Sequence, residues 1–332
     1  MEVNGYKIAP RANLARADLS YADLRDANLT DANLTRADLR HADLTDANLR
    51  RADLTGADLS SAHLFGANLT RAKLVGSNLP SAFLIGADLT AAQLEKANLF
   101  GADLTHATFS ADANLGAANL TDANLDHAEL SYANLHQANL SDANLRRANL
   151  TDANLSYANL WQANLSGANL TDANLRRAEL HYANLTSADL TGADLSHADL
   201  SHAELINANL AGANLTHAYL RWTNLNGANL TDADLTGARM ARVNLARQDL
   251  VDVTLARAEL VDVNLTEANL AGANLAHANL RRANLTDANL SHAELSYADL
   301  TDADLTDAIL TDANLTDAIL TGATMPDGSI HD

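Results

Sequence analysis

Hydrophobic positions along this chain recur every five residues. The stretch TDANLSYANLWQANLSGANL, residues 151–170, holds four copies of one phrase: Leu as anchor, Ala two places before it, and a polar residue between them. With each Leu called position i, the series starts at Leu14, runs to Phe109, slips by one residue in SADANL, resumes at Leu115 and ends at Met325. The first block has 20 copies and the second 43. Only Phe109, Met240 and Met325 replace Leu at i, and i−2 is Ala except at Ser77, Thr223, Val243, Gln248, Val253 and Val263.

Such a period suits neither regular element run continuously. On an α-helix a five-residue step advances about 500°, so the leucines would spray around every face. On an unbroken strand they would alternate between the two sides. Within one repeat, however, Ala at i−2 and Leu at i face one way and the polar residue at i−1 the other, which is strand alternation. The two remaining residues turn a corner. Four such sides return the chain to its start after twenty residues, displaced one strand spacing of about 4.8 Å along an axis. Three or five sides satisfy the same alternation.

The phrase A-(D/N)-L-x-x, as in ADLRDANLTDANL at residues 22–34, resembles the pentapeptide-repeat proteins over roughly residues 11–325. The resemblance implies an all-β fold: a right-handed quadrilateral parallel β-helix, a solenoid with i and i−2 inside. At four repeats per coil it would have about 16 four-sided coils and a length of about 75 Å. Ala at i−2 leaves room for Leu at i, so a narrow interior fills without aromatics. Asn suits i−1 because its amide can bond along its own ladder and to the backbone of the turn.

Three segments follow from the pattern. Residues 1–10, with Val3, Tyr6 and Ile8, are expected to cap the first coil and so cover an open edge. Residues 11–325 form the single repeat domain, with the slip near 110–113 read as a one-residue bulge that kinks or re-aims it. Residues 326–332 form a tail begun by Pro326 and the Asp327-Gly328 turn pair. The Val-rich run through Val243, Val253 and Val263 is expected to swell the interior.

Composition narrows the function. The absence of cysteine excludes disulfides and thiolate metal sites. MEVNGYKIAP lacks the basic start and apolar run of a signal peptide, and no stretch approaches a membrane span, so a soluble, cytoplasmic protein is expected. The net charge of −20 argues against direct nucleic-acid binding, and no basic amphipathic element points to a membrane surface. Residues 283–332 carry ten acids and no Lys or Arg. Asp287, Asp302, Asp307, Asp312 and Asp317 fall at i+2, on all four sides between them. They form an acidic collar that keeps rods from stacking end to end or, alternatively, an acidic docking surface.

Departures from consensus gather on one side when the second block is folded at twenty residues per coil. Trp161 is there, with His181 and Tyr182 one coil on, then Tyr219, Arg221 and Trp222, then Arg239 and Arg242. Trp, Tyr and Arg are the residues from which interface anchors are built. In the first block Phe65, Phe83 and Ile85 share one side in adjacent coils, a candidate apolar contact for a homodimer. His197 and His217 share an i+2 column, but no third ligand stands near them, so a surface stack is expected instead of a metal site. No nucleophile with a base and no phosphate loop stands out from the repeat, so neither enzyme activity nor a cofactor is expected.

These readings converge on a non-enzymatic scaffold that presents its aromatic and arginine side to a protein partner. The resemblance carries an alternative, because some pentapeptide-repeat proteins mimic DNA, bind DNA gyrase and protect it from quinolones. B-DNA carries one charge per ~1.7 Å, about 44 over 75 Å, more than twice the net charge available here. Only the C-terminal coils approach that density. A purely structural spacer is the third reading.

Overall fold

The computed structural model describes residues 1–110 and 112–332. The chain divides into two compact units, Met1–Ala173 and Asn174–Asp332.

The first unit opens with a hairpin. Strands β1 (Glu2–Val3) and β2 (Tyr6–Lys7) pair antiparallel, with Glu2 opposite Lys7 and Val3 opposite Tyr6. Asn4 and Gly5 supply the turn at φ 52° and 79°, the double positive φ that a tight two-residue hairpin loop demands. Behind it Ile8 is buried, and the Tyr6 hydroxyl accepts the Asp18 amide at 3.4 Å.

Thereafter single-residue parallel bridges join i−1 residues twenty positions apart, as in Asn13 to Asn33, Asp18 to Asp38, Asp23 to Asp43 and Asn28 to Asn48. Four repeats therefore close one coil, and the three- and five-sided alternatives fall away. Leu amides donate to the next coil, for example Leu34 N–H to Asp53 O at 2.7 Å. The i−1 amides donate back, as Asn48 N–H does to Ala27 O at 2.9 Å. Inside, Leu and Ala of successive coils are fully buried, and no helix occurs among the described residues.

Corners are built alike in both units. The amide of the next Ala donates to the Leu carbonyl three residues before it, as in Ala37 N–H to Leu34 O at 3.0 Å, closing a β-turn. The third turn residue, i+2, sits in the left-handed region: Asp31 at φ 59°, His41 at 56°, Trp222 at 56°. Positive φ at that position alone is the type II pattern. At i−1 the Asn or Asp carbonyl or carboxylate oxygen accepts the i+1 amide and often its hydroxyl, as Asn33 Oδ1 does from Thr35 N at 3.1 Å and Oγ1 at 2.8 Å. The same amides bond up the ladder, Asn134 to Asn114 at 3.0 Å and Asn154 to Asn134 at 3.2 Å.

Ala111, within the expected bulge at 110–113, lies outside the described residues. On either side of it the pairing offset is 21, with Gln93 opposite Asn114 and Asn98 opposite Asn119, and it returns to 20 at Asn114 opposite Asn134. Phe109 is wholly buried beside the slip.

The second unit repeats this plan from Asn174 opposite Asp194 to Asp304 opposite Thr324. The Val-rich run lies in its interior, and three of its neighbouring turn bonds lengthen: Gln248 to Leu245 at 3.2 Å, Val253 to Leu250 at 3.3 Å, Val263 to Leu260 at 3.2 Å. A side chain larger than Ala at i−2 pushes the coil wall outward. The buried polar exceptions satisfy backbone carbonyls, Thr223 Oγ1 reaching Leu200 O at 2.8 Å and Gln248 Nε2 reaching Leu225 O at 2.6 Å. In the last coil Leu310, Leu315 and Leu320 are only half-buried, and Thr324 turns back to pair antiparallel with Ile330.

Candidate interaction surface

The corner geometry determines how the second unit displays its aromatics. At i+2 the left-handed backbone aims side chains outward in register, one per coil. Tyr182, His202 and Trp222 occupy one such column and stack as a three-ring ladder. Tyr182 and His202 lie 4.7 Å apart at 18°, and His202 and Trp222 4.7 Å apart at 23°. His181, beside the top of the ladder, meets Tyr182 edge-on at 4.8 Å and points Nδ1 at the Asp199 carboxylate at 3.4 Å. His202 was not among the residues singled out from sequence, although its place midway between Tyr182 and Trp222 at the twenty-residue period marks it.

Arginines cover the ladder's lower end. The Arg221 guanidinium lies 4.5 Å from the Trp222 ring, and that of Arg239 lies 4.7 Å from the Tyr219 ring. Such contacts contribute roughly 0.5–1 kcal/mol at exposed sites. Arg242 turns instead to Asp262 at 3.5 Å, and Asp262 is shared with Arg282 at 2.6 Å. The Arg282 hydrogen bond, reinforced by both guanidinium charges, holds the Asp262 carboxyl below its usual range despite some desolvation. Within the second unit the structure thus brings together His181, Tyr182, Tyr219, Arg221, Trp222, Arg239 and Arg242. Trp161 belongs to the first unit, 41% exposed, with its amide held by Asn159 Oδ1 at 3.0 Å.

Stacking has a consequence for recognition. Rings whose faces are taken by neighbours or guanidiniums offer a partner their edges, together with the N–H groups of arginine. Two-ring stacks occur elsewhere, Tyr21 on His41 at 4.8 Å and His277 on Tyr297 at 4.9 Å, so stacking by itself is a habit of this fold. The Tyr182 ladder differs in its third ring and its arginines.

In the first unit Phe65 and Phe83 are exposed and Ile85 is half-buried. Phe83 packs edge-on against His63 at 5.0 Å. The collar residues Asp287, Asp302, Asp307, Asp312 and Asp317 are all exposed at left-handed corners, φ 55–59°. Asp312 faces His292 at 3.7 Å. No metal-ligand cluster of three or more acids, histidines or cysteines occurs among the described residues, and no helix there is long and apolar enough to cross a membrane.

The family model for pentapeptide repeats matches overlapping segments spanning residues 10–105 and 111–322. The chain belongs to the pentapeptide-repeat family. Among solved structures it is similar to HetL, a pentapeptide-repeat protein involved in heterocyst differentiation regulation in the cyanobacterium Nostoc sp. strain PCC 7120. The identity is 31% over 85% of this chain and 92% of that one, with a TM-score of 0.23. Rfr23 from the cyanobacterium Cyanothece 51142 is 34% identical over 35% of this chain and 86% of its own, with a TM-score of 0.27. QnrB1, a plasmid-mediated fluoroquinolone resistance protein, is 18% identical over 60% and 93%, with a TM-score of 0.29. The four-sided architecture rests on the twenty-residue pairing. No curated protein matches the chain.

Proposed function

We propose that this pentapeptide-repeat protein is a non-enzymatic interaction scaffold whose recognition surface is the aromatic and arginine side of the second unit. The observation that carries the reading is the Tyr182–His202–Trp222 ladder with the Arg221 guanidinium 4.5 Å from its last ring. Folding alone has no use for a Trp that remains 47% exposed, and exposed Trp beside Arg is the chemistry of an interface anchor. Ring edges and guanidinium N–H groups suit a partner surface rich in carbonyls and carboxylates. The test compares proteins captured from cell extract by wild type, by Trp222→Ala, and by a variant with Tyr182, His202, Arg221 and Trp222 returned to repeat consensus. A partner held by wild type and lost from both variants, each still melting in one cooperative transition, supports the reading. Identical capture by all three removes it and leaves the spacer.

A second reading, DNA mimicry toward DNA gyrase, draws on the collar, where residues 283–332 present ten acids and no Lys or Arg. A supercoiling titration with and without a quinolone tests it, alongside a variant with Asp287, Asp302, Asp307, Asp312 and Asp317 changed to Asn. Inhibition or protection at sub-micromolar protein, lost in that variant, would favour gyrase. Inactivity at tens of micromolar would discard it.

A further inference from the structure

One corner column of the second unit runs His197, His217, Gly237, Arg257, all in the left-handed region at φ 58–66°. Beside it run Tyr219, Arg239 and Glu259, and together these residues line an open cavity of about 330 Å³. The histidine rings stack at 5.1 Å and 21°. A Cβ on residue 237 would stand 2.5 Å from His217 Nδ1, so only glycine leaves that ring nitrogen room to lean into the recess.

Arg257 sets this column apart. Three other corner arginines of the unit face acids one coil away, Arg242 to Asp262 at 3.5 Å, Arg247 to Glu267 at 2.8 Å and Arg282 to Asp262 at 2.6 Å. Arg257 has Gly237 before it and His277 after it in the column, and it makes no ion pair among the described residues. Arg239 reaches Glu259 only at 3.9 Å while it lies over Tyr219. Two guanidiniums and two imidazoles thus converge against a single carboxylate, in a chain of net charge −20. The electrostatic surroundings agree: burial, followed by His217, Arg177 and Arg176, pushes the His197 pKa down, outweighing the opposing pull of Asp194.

We propose that this recess is an oxyanion site for a phosphoryl group, either free phosphate or the phosphate ester of a small molecule. Arg257 supplies the unneutralised charge, Arg239 a second guanidinium, and the imidazoles of His217 and His197 N–H donors. Charge-assisted N–H···O bonds from arginine are the strong ones toward phosphate, and several converging on one dianion exceed what scattered surface lysines provide. The recess shares Tyr219 and Arg239 with the proposed interaction surface, but its test requires no protein partner.

The test follows the histidine Hε1 resonances at fixed pH 7.5 while inorganic phosphate or O-phosphoserine is titrated, with sodium chloride at matched ionic strength as control. Saturable shifts of His197 and His217 are expected, absent with chloride. Arg257→Ala should weaken binding at least tenfold and Arg257→Lys by less. Arg257 is exposed, so neither variant should move the melting temperature. Tenfold tighter binding of phosphoserine would assign the ester as ligand, and equal affinity free phosphate. Non-saturating shifts, equal shifts with chloride, or unchanged affinity in Arg257→Ala would overturn the proposal.

Discussion

At the scale of single residues, the i+2 corner explains what the repeat tolerates. A left-handed backbone penalises most side chains, least Gly, Asn and Asp, and most the β-branched ones. Asp287→Gly should therefore change unfolding free energy by less than about 0.5 kcal/mol, whereas Asp287→Val should cost about 1–2 kcal/mol in chemical denaturation. Interior leucine is costlier to lose: Leu265→Ala should destabilise by ~2–5 kcal/mol. The i−1 carboxylates make a different prediction. Hydrogen bonds from the Thr306 hydroxyl and amide hold Asp304 below its ordinary pKa, and the corresponding Thr301 bonds, with Arg281 nearby, hold Asp299 down against desolvation. A folded-state pKa below the unfolded value contributes stability above the unfolded pKa of ~3.9 that is lost as pH falls through the folded pKa. The contribution of these two carboxylates to the urea midpoint should stay flat from pH 7 to about 5 and drop below about 4. Changing Asp299 and Asp304 to Asn, which makes the same turn bonds without titrating, should shrink that drop. Superimposable pH curves for variant and wild type would count against the assignment.

Elements here are ladders, and their energetics are those of one-dimensional stacks. The three-ring ladder should depend on its middle member. In a Trp161→Phe background, where Trp222 is the remaining tryptophan, His202→Ala should change Trp222 fluorescence and cost about 0.5–1.5 kcal/mol. An unchanged spectrum would mean that the rings are not stacked in solution. The Val-rich run works in the opposite sense, since the turn bonds at Gln248, Val253 and Val263 stretch to 3.2–3.3 Å to admit larger i−2 side chains. Burial gained there is partly offset by strained corners.

At the scale of the molecule, the second unit ends on a coil whose Leu310, Leu315 and Leu320 are half-buried, with Ile309, Ile319 and Ile330 exposed beside them. An apolar coil end with unpaired strand edges invites association, and like charge around it opposes that. Changing Asp302, Asp307, Asp312 and Asp317 to Asn should therefore raise self-association, read by sedimentation velocity at physiological salt. A variant as monodisperse as wild type would deny the collar this role.

The five-residue period was enough to place Ala and Leu inside, Asn outside and a turn between, because burial on one face of a short strand permits no other register. Periodicity alone left three, four or five sides open, since closure depends on the angle each corner takes. The tertiary pairing of Asn13 with Asn33 and its successors decided for four. The expected gathering of aromatics was legible as soon as the sequence was folded at twenty. That their faces would be taken by one another and by arginine was not: Gly and Asp at i+2 mark a left-handed corner, but how rings placed there meet depends on the coils stacked above and below. The recess at Gly237 belongs to the same class. Its glycine, histidines and arginines lie twenty residues apart along the chain, and only stacking coils one above another makes them neighbours.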